Sequence, residues 1–320
     1  MMRVLVTGGA GFIASHIVDE LIKLNHHVCI LDNLSSGNEK NINQEATFYK
    51  CDLTEIDKLK LIFKVEQPEI VIHHAAQIDV QTSLSKPAFD AQNNIVGTIN
   101  ILECCREFGV RKIIYPSSAA VYGDPMYLPV DEDHAVNPIS FYGISKHTPE
   151  HYIKIYAQLY GLKYTIFRYA NVYGIRQDPK GEGGVISIFV DKLLNSETPC
   201  IFGDGEQTRD FIYVKDIARA NILALHKGDN ELMNISTNKA ITVNDLFKVM
   251  KEISETKVDV IHKAERRGDI LHSYLDNKRA EVKLGWRVKF KIEDGIRETL
   301  QYYMESLKAG IEVAAFVEEN

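Results

Sequence analysis

"VLVTGGAGFIAS", residues 4–15, decides the fold. Four strand-forming residues run straight into a glycine-rich turn, and a helical pattern, "FIASHIVDELIKL" at 12–24, begins at once. Gly8, Gly9 and Gly11 permit a tight turn and close approach of backbone to a ligand. Ala14, the next small residue, permits close helix packing. The helix start offers free N–H groups and the positive end of its dipole, which suits a diphosphate. The strand–turn–helix order, with an acid at the end of the next strand, points to a dinucleotide. That acid is Asp32 in "CILDNLSSGN". A carboxylate there can accept from both ribose hydroxyls and would repel a 2′-phosphate. No arginine follows it closely, so NAD is expected rather than NADP.

Outward from this loop, apolar β-rich runs alternate with helical patterns. "HHVCILD", "ATFYKCD", "PEIVIHHAA", "RKIIYPSS" and "KYTIFRYAN" read as strands. "EIDKLKLIFKVEQ", one long stretch from about Pro87 to Phe108, and another from about Tyr142 read as helices. Strands apolar on both sides, alternating with helices, imply a parallel sheet covered on both faces. The expected architecture is a doubly wound α/β sheet of the Rossmann type over 1–174. A smaller α/β substrate lobe is expected over 175–320, with a return to the main sheet at about 214–236.

Composition is that of an ordinary globular chain: 45% hydrophobic and 25% charged residues over 320 positions. The net charge of −7 argues against a general nucleic-acid binder, although a few local arginines can still hold an anionic ligand. Five cysteines without metal-site or disulfide spacing suggest reduced thiols in a cytoplasmic protein, and no metal centre is expected. The N-terminus lacks a signal-peptide layout, and no apolar run approaches transmembrane length, so no membrane partner is expected.

Within "SFYGISK", Tyr142 and Lys146 are four residues apart and share a helix face. A phenol ordinarily titrates near 10 and is a poor base at neutral pH. An adjacent ammonium favours phenolate. Ser118 closes the strand "RKIIYPSS", at the end where doubly wound sheets build their sites.

Together with "HHAAQIDVQTS", "RYANVYG", "GDGEQTRDFIYVKDIA" and "RRGDI", in this order, these stretches resemble the extended short-chain dehydrogenase/reductases, and within them the UDP-glucose 4-epimerase branch. The resemblance extends from residue 2 to about 275. It implies reversible 4-epimerisation of a UDP-hexose through a transient 4-keto sugar, with tightly bound NAD. Tyr142 would be the acid–base residue, Lys146 its partner and holder of the nicotinamide ribose, and Ser118 a second bond to the sugar hydroxyl. Cofactor contacts would come from Gly8, Gly11, Phe12, Ile13, Asp32, Asn33, Ser35, Ser36, Gly37, Asp52, Leu53, His74, Ala75, Ala76, Gln77, Asn93 and Tyr169. Asn93 would brace the cofactor or the catalytic strand. Substrate contacts would come from Ser83, Asn171, Val185, Ile186, Ile201, Phe202, Arg209, Arg266, Asp269 and Ser273. Arg209 and Arg266 would clamp the diphosphate, and Val185, Ile186, Ile201 and Phe202 would hold the uridine. The helices at about 87–108 and 142–160 would pair across a two-fold axis in a homodimer.

Ala119 and Ala120 follow Ser118 where the related dehydratases and decarboxylases carry an acid, which disfavours both reactions. The rival readings are another nucleotide-sugar epimerase or 4-reductase, and a non-catalytic nucleotide sensor. Ser273 stands where the branch carries a residue against the sugar's 2-position. A small residue there would admit an N-acetyl group as well.

Overall fold

Alternate residues of β1 (Arg3–Thr7) enter opposite cores, and this is why the sheet must be covered twice. Val4 and Val6 join one apolar cluster, while Leu5 joins the other. The computed structural model describes residues 1–179, 184–265 and 270–318. The first half continues with α1 (Phe12–Lys23), β2 (His27–Asp32), β3 (Thr47–Lys50), α2 (Ile56–Glu66), β4 (Ile70–His73), α3 (Val80–Ser85), α4 (Pro87–Ala91), α5 (Gly97–Glu107), β5 (Lys112–Ser118), α6 (Phe141–Tyr160) and β6 (Lys163–Tyr169). The second half has β7 (Asn171–Tyr173), α7 (Val185–Leu194), β8 (Cys200–Phe202), β9 (Thr208–Arg209), β10 (Phe211–Tyr213), α8 (Val214–Ala224), β11 (Glu231–Ile235), β12 (Ile241–Thr242), α9 (Val243–Ser254), β13 (Ile261–Lys263), α10 (Lys278–Leu284) and α11 (Ile292–Glu318).

The main sheet is parallel and seven-stranded, in the order β11-β6-β5-β4-β1-β2-β3. The order reverses between β1 and β4, and the cleft opens at the carboxyl ends there. One face is covered through Ile17, Val18, Ala218 and Ala224 of α1 and α8. The other is covered through Leu59, Phe63, Ile101 and Ile153 of α2, α5 and α6. β11 comes from the second half of the chain and pairs with β6 over Glu231–Ile235. Leu275, Ala280, Leu284 and Trp286 also pack into the α1–α8 core, so the main sheet's packing draws on more of residues 175–320 than the 214–236 return. A third core, with Phe189, Leu246, Phe247, Met250 and Ile296, belongs to the smaller lobe.

The stretch expected as one helix from Pro87 to Phe108 is helical but not uniform. α4 and α5 are joined by a π-turn over Gln92–Val96, and α3 precedes them. α5 then lies close to the segment after β3: a Cβ at Gly97 would come within 2.9 Å of the Leu53 side chain. α6 begins one residue before Tyr142. Ser140 caps it, accepting from the Gly143 N–H at 3.1 Å. Gly143 lets α6 approach the turn after β5, since a Cβ there would lie 2.7 Å from the Ala120 carbonyl oxygen. That approach places Tyr142 beside the Ser118 end of β5.

Candidate active site

The glycine turn is built around one close contact. Gly8 has φ +70°, and a Cβ on it would come within 2.7 Å of the Ala75 nitrogen. The turn is fixed by Gly8 N–H to Leu31 O at 2.8 Å and Gly11 N–H to Gly8 O at 2.9 Å. α1 has no side-chain cap at Gly11, so its first amides are left for a ligand. Gly8, Gly11, Phe12, Ile13, Asp32, Asn33, Ser35, Ser36, Gly37, Leu53, His74, Ala75, Ala76 and Asn93 line one cleft above this turn. Cys51, Ala14, Leu31 and Ile78 line it too. The Nδ1 of His74 is out of solvent there and has no hydrogen-bond partner among the described residues. A backbone cradle that excludes any side chain, a free helix start and an unpartnered ring nitrogen fit a bound dinucleotide.

Asp32 does structural work as well. One carboxylate oxygen accepts the Ala10 N–H at 3.0 Å and the other the Leu34 N–H at 2.8 Å. Burial raises its pKa from the ordinary value, and these two amides oppose the rise. Each oxygen keeps acceptor capacity for a ribose hydroxyl. Asp52 does not line the cleft with its neighbours. It accepts from the Asn33 side chain at 2.7 Å and from the Thr54 hydroxyl, tying the Asp32 turn to the approach to α2.

Two expected cofactor residues sit behind the cleft wall. Gln77 donates to Asp90 at 2.7 Å, and its backbone N–H donates to the Asn94 side chain at 2.7 Å. The buried Tyr169 hydroxyl accepts from Asn221 at 2.7 Å and lies 3.3 Å from His74 Nε2. Asn93 lines the cleft, and its neighbour Asn94 braces the helix from behind. Asn93 donates only to Phe89 O within its own helix, whereas buried Asn94 joins Gln77, Asp90 and the Ser145 hydroxyl. The π-turn changes which residue of the Asn-Asn pair faces inward, and a uniform helical count does not anticipate it.

Lys146 is buried, with Nζ 4.7 Å from the Tyr115 ring centroid. Burial, the largest influence, pulls its pKa down to about 7, against the nearby charges of Glu150 and Asp90. His73 bonds the hydroxyls of Thr7 at 2.8 Å and Thr98 at 3.0 Å. Burial, and then Lys146, lower its pKa to about 3. Behind Lys146, Glu150 accepts two bonds from Arg168, at 3.0 and 2.7 Å, and one from Ser117 at 2.6 Å. Burial alone would raise the Glu150 pKa, but hydrogen bonds from His147, Arg168 and Ser117 hold it down at about 2. Arg168 also sits 4.7 Å over the Tyr122 ring. The Ser118 hydroxyl accepts the Ala120 N–H at 3.2 Å, which turns the chain out of β5 toward the site.

On the lobe side, the parallel pair β7 and β10 sets Asn171 opposite Phe211, two residues after Arg209. Arg209 donates to the carbonyls of Thr208 at 2.8 Å and Leu271 at 3.2 Å. The Ser273 N–H donates to Thr208 O at 3.2 Å, so β9 brings Arg209 and Ser273 together. Asp210 ties this region to the main sheet, accepting from Thr237 and Asn238, and burial raises its pKa to about 6. Ile186 and Ile201 do not offer a free apolar face for a base. Both are buried in the lobe core, while Val185 and Phe202 beside them are half-exposed. Ser83 is fully buried and its hydroxyl donates to Val80 O at 2.7 Å, spent within its own helix. Arg266, Arg267 and Asp269 lie outside the described residues. Among the described residues no helix is long and apolar enough to cross a membrane.

A doubly wound parallel sheet with this glycine turn after β1, Ser118 at the end of β5, and Tyr142 and Lys146 on α6 packed against it, defines a nucleotide-dependent enzyme of the Rossmann class. The profile of the NAD dependent epimerase/dehydratase family matches residues 4–236, and the chain belongs to that family. A relative described as a putative UDP-glucose 4-epimerase, from Methanocaldococcus jannaschii, is 52% identical over 301 residues, 93% of this chain and 97% of that one. The UDP-glucose 4-epimerase of Thermotoga maritima, solved with UDP-glucose, is 46% identical with a TM-score of 0.94, covering 96% of this chain and 100% of that one. The UDP-N-acetylglucosamine 4-epimerase of Methanobrevibacter ruminantium, solved with UDP-N-acetylmuramic acid, is 40% identical with a TM-score of 0.91, covering 95% and 99%. The cofactor of this chain is NAD. Acid extraction of the purified protein is expected to release NAD or NADH. Recovery of mainly NADP would show that Asp32 does not exclude the 2′-phosphate.

Proposed function

We propose that this chain interconverts UDP-hexoses at C4, with UDP-glucose and UDP-galactose as one pair and the N-acetylhexosamine pair as another. The observation that carries the reading is a buried Lys146 one helical turn from Tyr142, set beside the Ser118 end of β5 and next to the glycine-turn cleft. NAD supplies the redox step when bound, accepting hydride from C4 of the sugar and returning it to the opposite face. The chain supplies the proton chemistry. Tyr142 takes the 4-hydroxyl proton as phenolate and gives it back when the 4-keto sugar is reduced. Lys146 favours the phenolate by its charge and holds the nicotinamide ribose, while Ser118 bonds the same sugar oxygen. Arg209 and Arg266 hold the diphosphate so that the keto sugar can turn without leaving. Asn171, Val185 and Phe202 complete the nucleotide side. The test is a panel of nucleotide sugars incubated with pure protein, with the 4-epimers resolved. Failure to epimerise any UDP-sugar would overturn the reading.

Ser273 decides the width of the sugar pocket. It is half-buried in the segment that pairs with β9 beside Arg209. A phenol ring there would occupy the space of an acetamido group, and overpacking costs roughly 1–3 kcal/mol. Ser273→Tyr is therefore expected to lose UDP-N-acetylglucosamine turnover first and to keep UDP-glucose turnover. Equal losses on both substrates would remove Ser273 from the pocket.

A homodimer is proposed as well. Ile144, Tyr152, Ile155 and Leu159 form an exposed apolar stripe on α6, and Phe89 and Val96 are exposed nearby in the sequence of the adjoining helices. A second copy of the chain would cover these residues. We propose a reducing, cytoplasmic setting, which the free cysteines support, and a role in galactose metabolism, which the proposed substrate pair supports.

A further inference from the structure

The stretch "HTPEH", residues 147–151, takes no part in the proposed chemistry, yet it gathers three titratable side chains on α6. Histidines four apart share one face of a helix. Here the two rings meet: His147 Nε2 lies 2.9 Å from His151 Nε2. On its other side, His147 Nδ1 lies 3.3 Å from a Glu150 carboxylate oxygen. That carboxylate is buried and bound by Arg168 at 3.0 and 2.7 Å, so it stays ionised and can only accept. The His147 proton therefore sits on Nδ1. Its Nε2 carries a lone pair, and in the free chain His151 donates to it.

A carboxylate behind one ring nitrogen, fixing the tautomer and turning the other nitrogen outward, is the common support of a metal-bound histidine. Two nitrogens 2.9 Å apart can both lie about 2.0–2.1 Å from one ion, at an N–metal–N angle of about 90°. That is a cis pair of a tetragonal or octahedral ion. Pro149 stands between the two histidines and has no N–H to give the Ser145 carbonyl, so this turn of α6 lacks a backbone bond. An ion held by both rings would bridge it. At about 100° per residue, the apolar stripe of Ile144, Tyr152, Ile155 and Leu159 is centred about 80° round the helix from the histidine pair. The α4–α5 segment reaches α6 on the opposite flank, where Asn94 bonds Ser145 and Tyr156 bonds Glu103. A second copy covering the stripe leaves the pair at its edge.

We propose that His147 and His151 form a two-nitrogen site for a divalent transition-metal ion of the nickel or copper type, with Glu150 fixing the His147 ring and water completing the coordination. Among the described residues no three potential ligands meet at one point, so the chain itself contributes these two. His151 is exposed, and on coordination its proton moves through water from Nε2 to Nδ1. The ion then takes the place of the hydrogen between the rings. The site stands independently of the epimerase reading.

The test is calorimetric titration of the NAD-loaded full chain, freed of metal by a chelator, with Ni2+ at neutral pH. One tight site per chain is expected, with a higher Tm when Ni2+ is present. Mg2+, which prefers oxygen ligands, is expected not to compete. His151→Gln and His147→Gln are each expected to weaken Ni2+ binding at least 10-fold, roughly the least that loss of even an outer partner costs a metal site. His262→Gln, far along the chain on β13, is expected to bind as the unmodified protein does. His151 is exposed, so its replacement leaves the fold in place. In the unmodified protein, Ni2+ is also expected to broaden the ring 15N resonances of His147 and His151 before those of any other histidine. No tight binding, binding that survives both substitutions, or broadening centred on another histidine would overturn the proposal.

Discussion

Replacement of Tyr142 by phenylalanine is expected to leave the fold and the bound NAD in place and to lower kcat by about 10²–10⁴-fold, the range for a lost acid–base group. Only a hydroxyl is removed. The ring stays half-buried at the start of α6, and the Ser140 cap and the Gly143 approach to Ala120 stay as they are. Single-turnover measurement with UDP-galactose separates the chemical step from product release. Near-normal epimerisation by this variant would remove Tyr142 from the mechanism.

Arg168→Met is expected to destabilise the folded protein by about 3–5 kcal/mol, the cost of leaving a buried charge without its partner. Glu150 is fully buried and would keep only Ser117 and His147. The pH dependence has a defined sign. In the unmodified protein the Glu150 pKa lies below its ordinary 4.5, near 2. Its contribution to stability is therefore complete above pH 4.5 and is lost as pH falls through about 2. In the variant the balance reverses, because burial then raises the carboxyl and favours the protonated form. The deficit against the unmodified protein should narrow as pH is lowered from 7 toward 4. Adding Glu150→Gln should recover much of the loss. Urea denaturation across pH checks all three statements, and a deficit under about 1 kcal/mol at pH 7 would show that the pair is not a structural keystone.

Local signals carried the glycine turn, Asp32 and the alternation of strands and helices, because each depends on residues close together in the chain. The cleft collects most of the expected cofactor contacts for the same reason: they lie on the turns that leave consecutive parallel strands. What stayed hidden depends on distant pairing. Glu150 and Arg168 meet between a helix and a strand, and nothing in "HTPEHY" or "TIFRYA" marks them as partners. Asn94 was masked by its neighbour Asn93, since only the π-turn decides which one faces Gln77. Nothing in "KPAFDAQ" marks Asp90 as buried; it is enclosed where α3, α4 and α6 pack together. Ile186 and Ile201 went astray in the opposite sense. The family resemblance implies them as uridine contacts, and both side chains are packed into the lobe core.

The seventh strand has a consequence for synthesis. A ribosome that has released residues through Tyr169 has delivered six adjacent strands, but the hydrogen-bonding edge of β6 is still bare. Its partner β11 follows only after residues 170–230, which include β7, β10 and α8. α8 itself covers the α1 side of the sheet, so the nascent sheet lacks both an edge and part of a face during that interval. An uncovered edge of a parallel sheet is the kind of surface that recruits other strands. The emerging chain is thus most exposed to wrong pairing, and most in need of chaperone cover, between the completion of β6 and the arrival of Glu231.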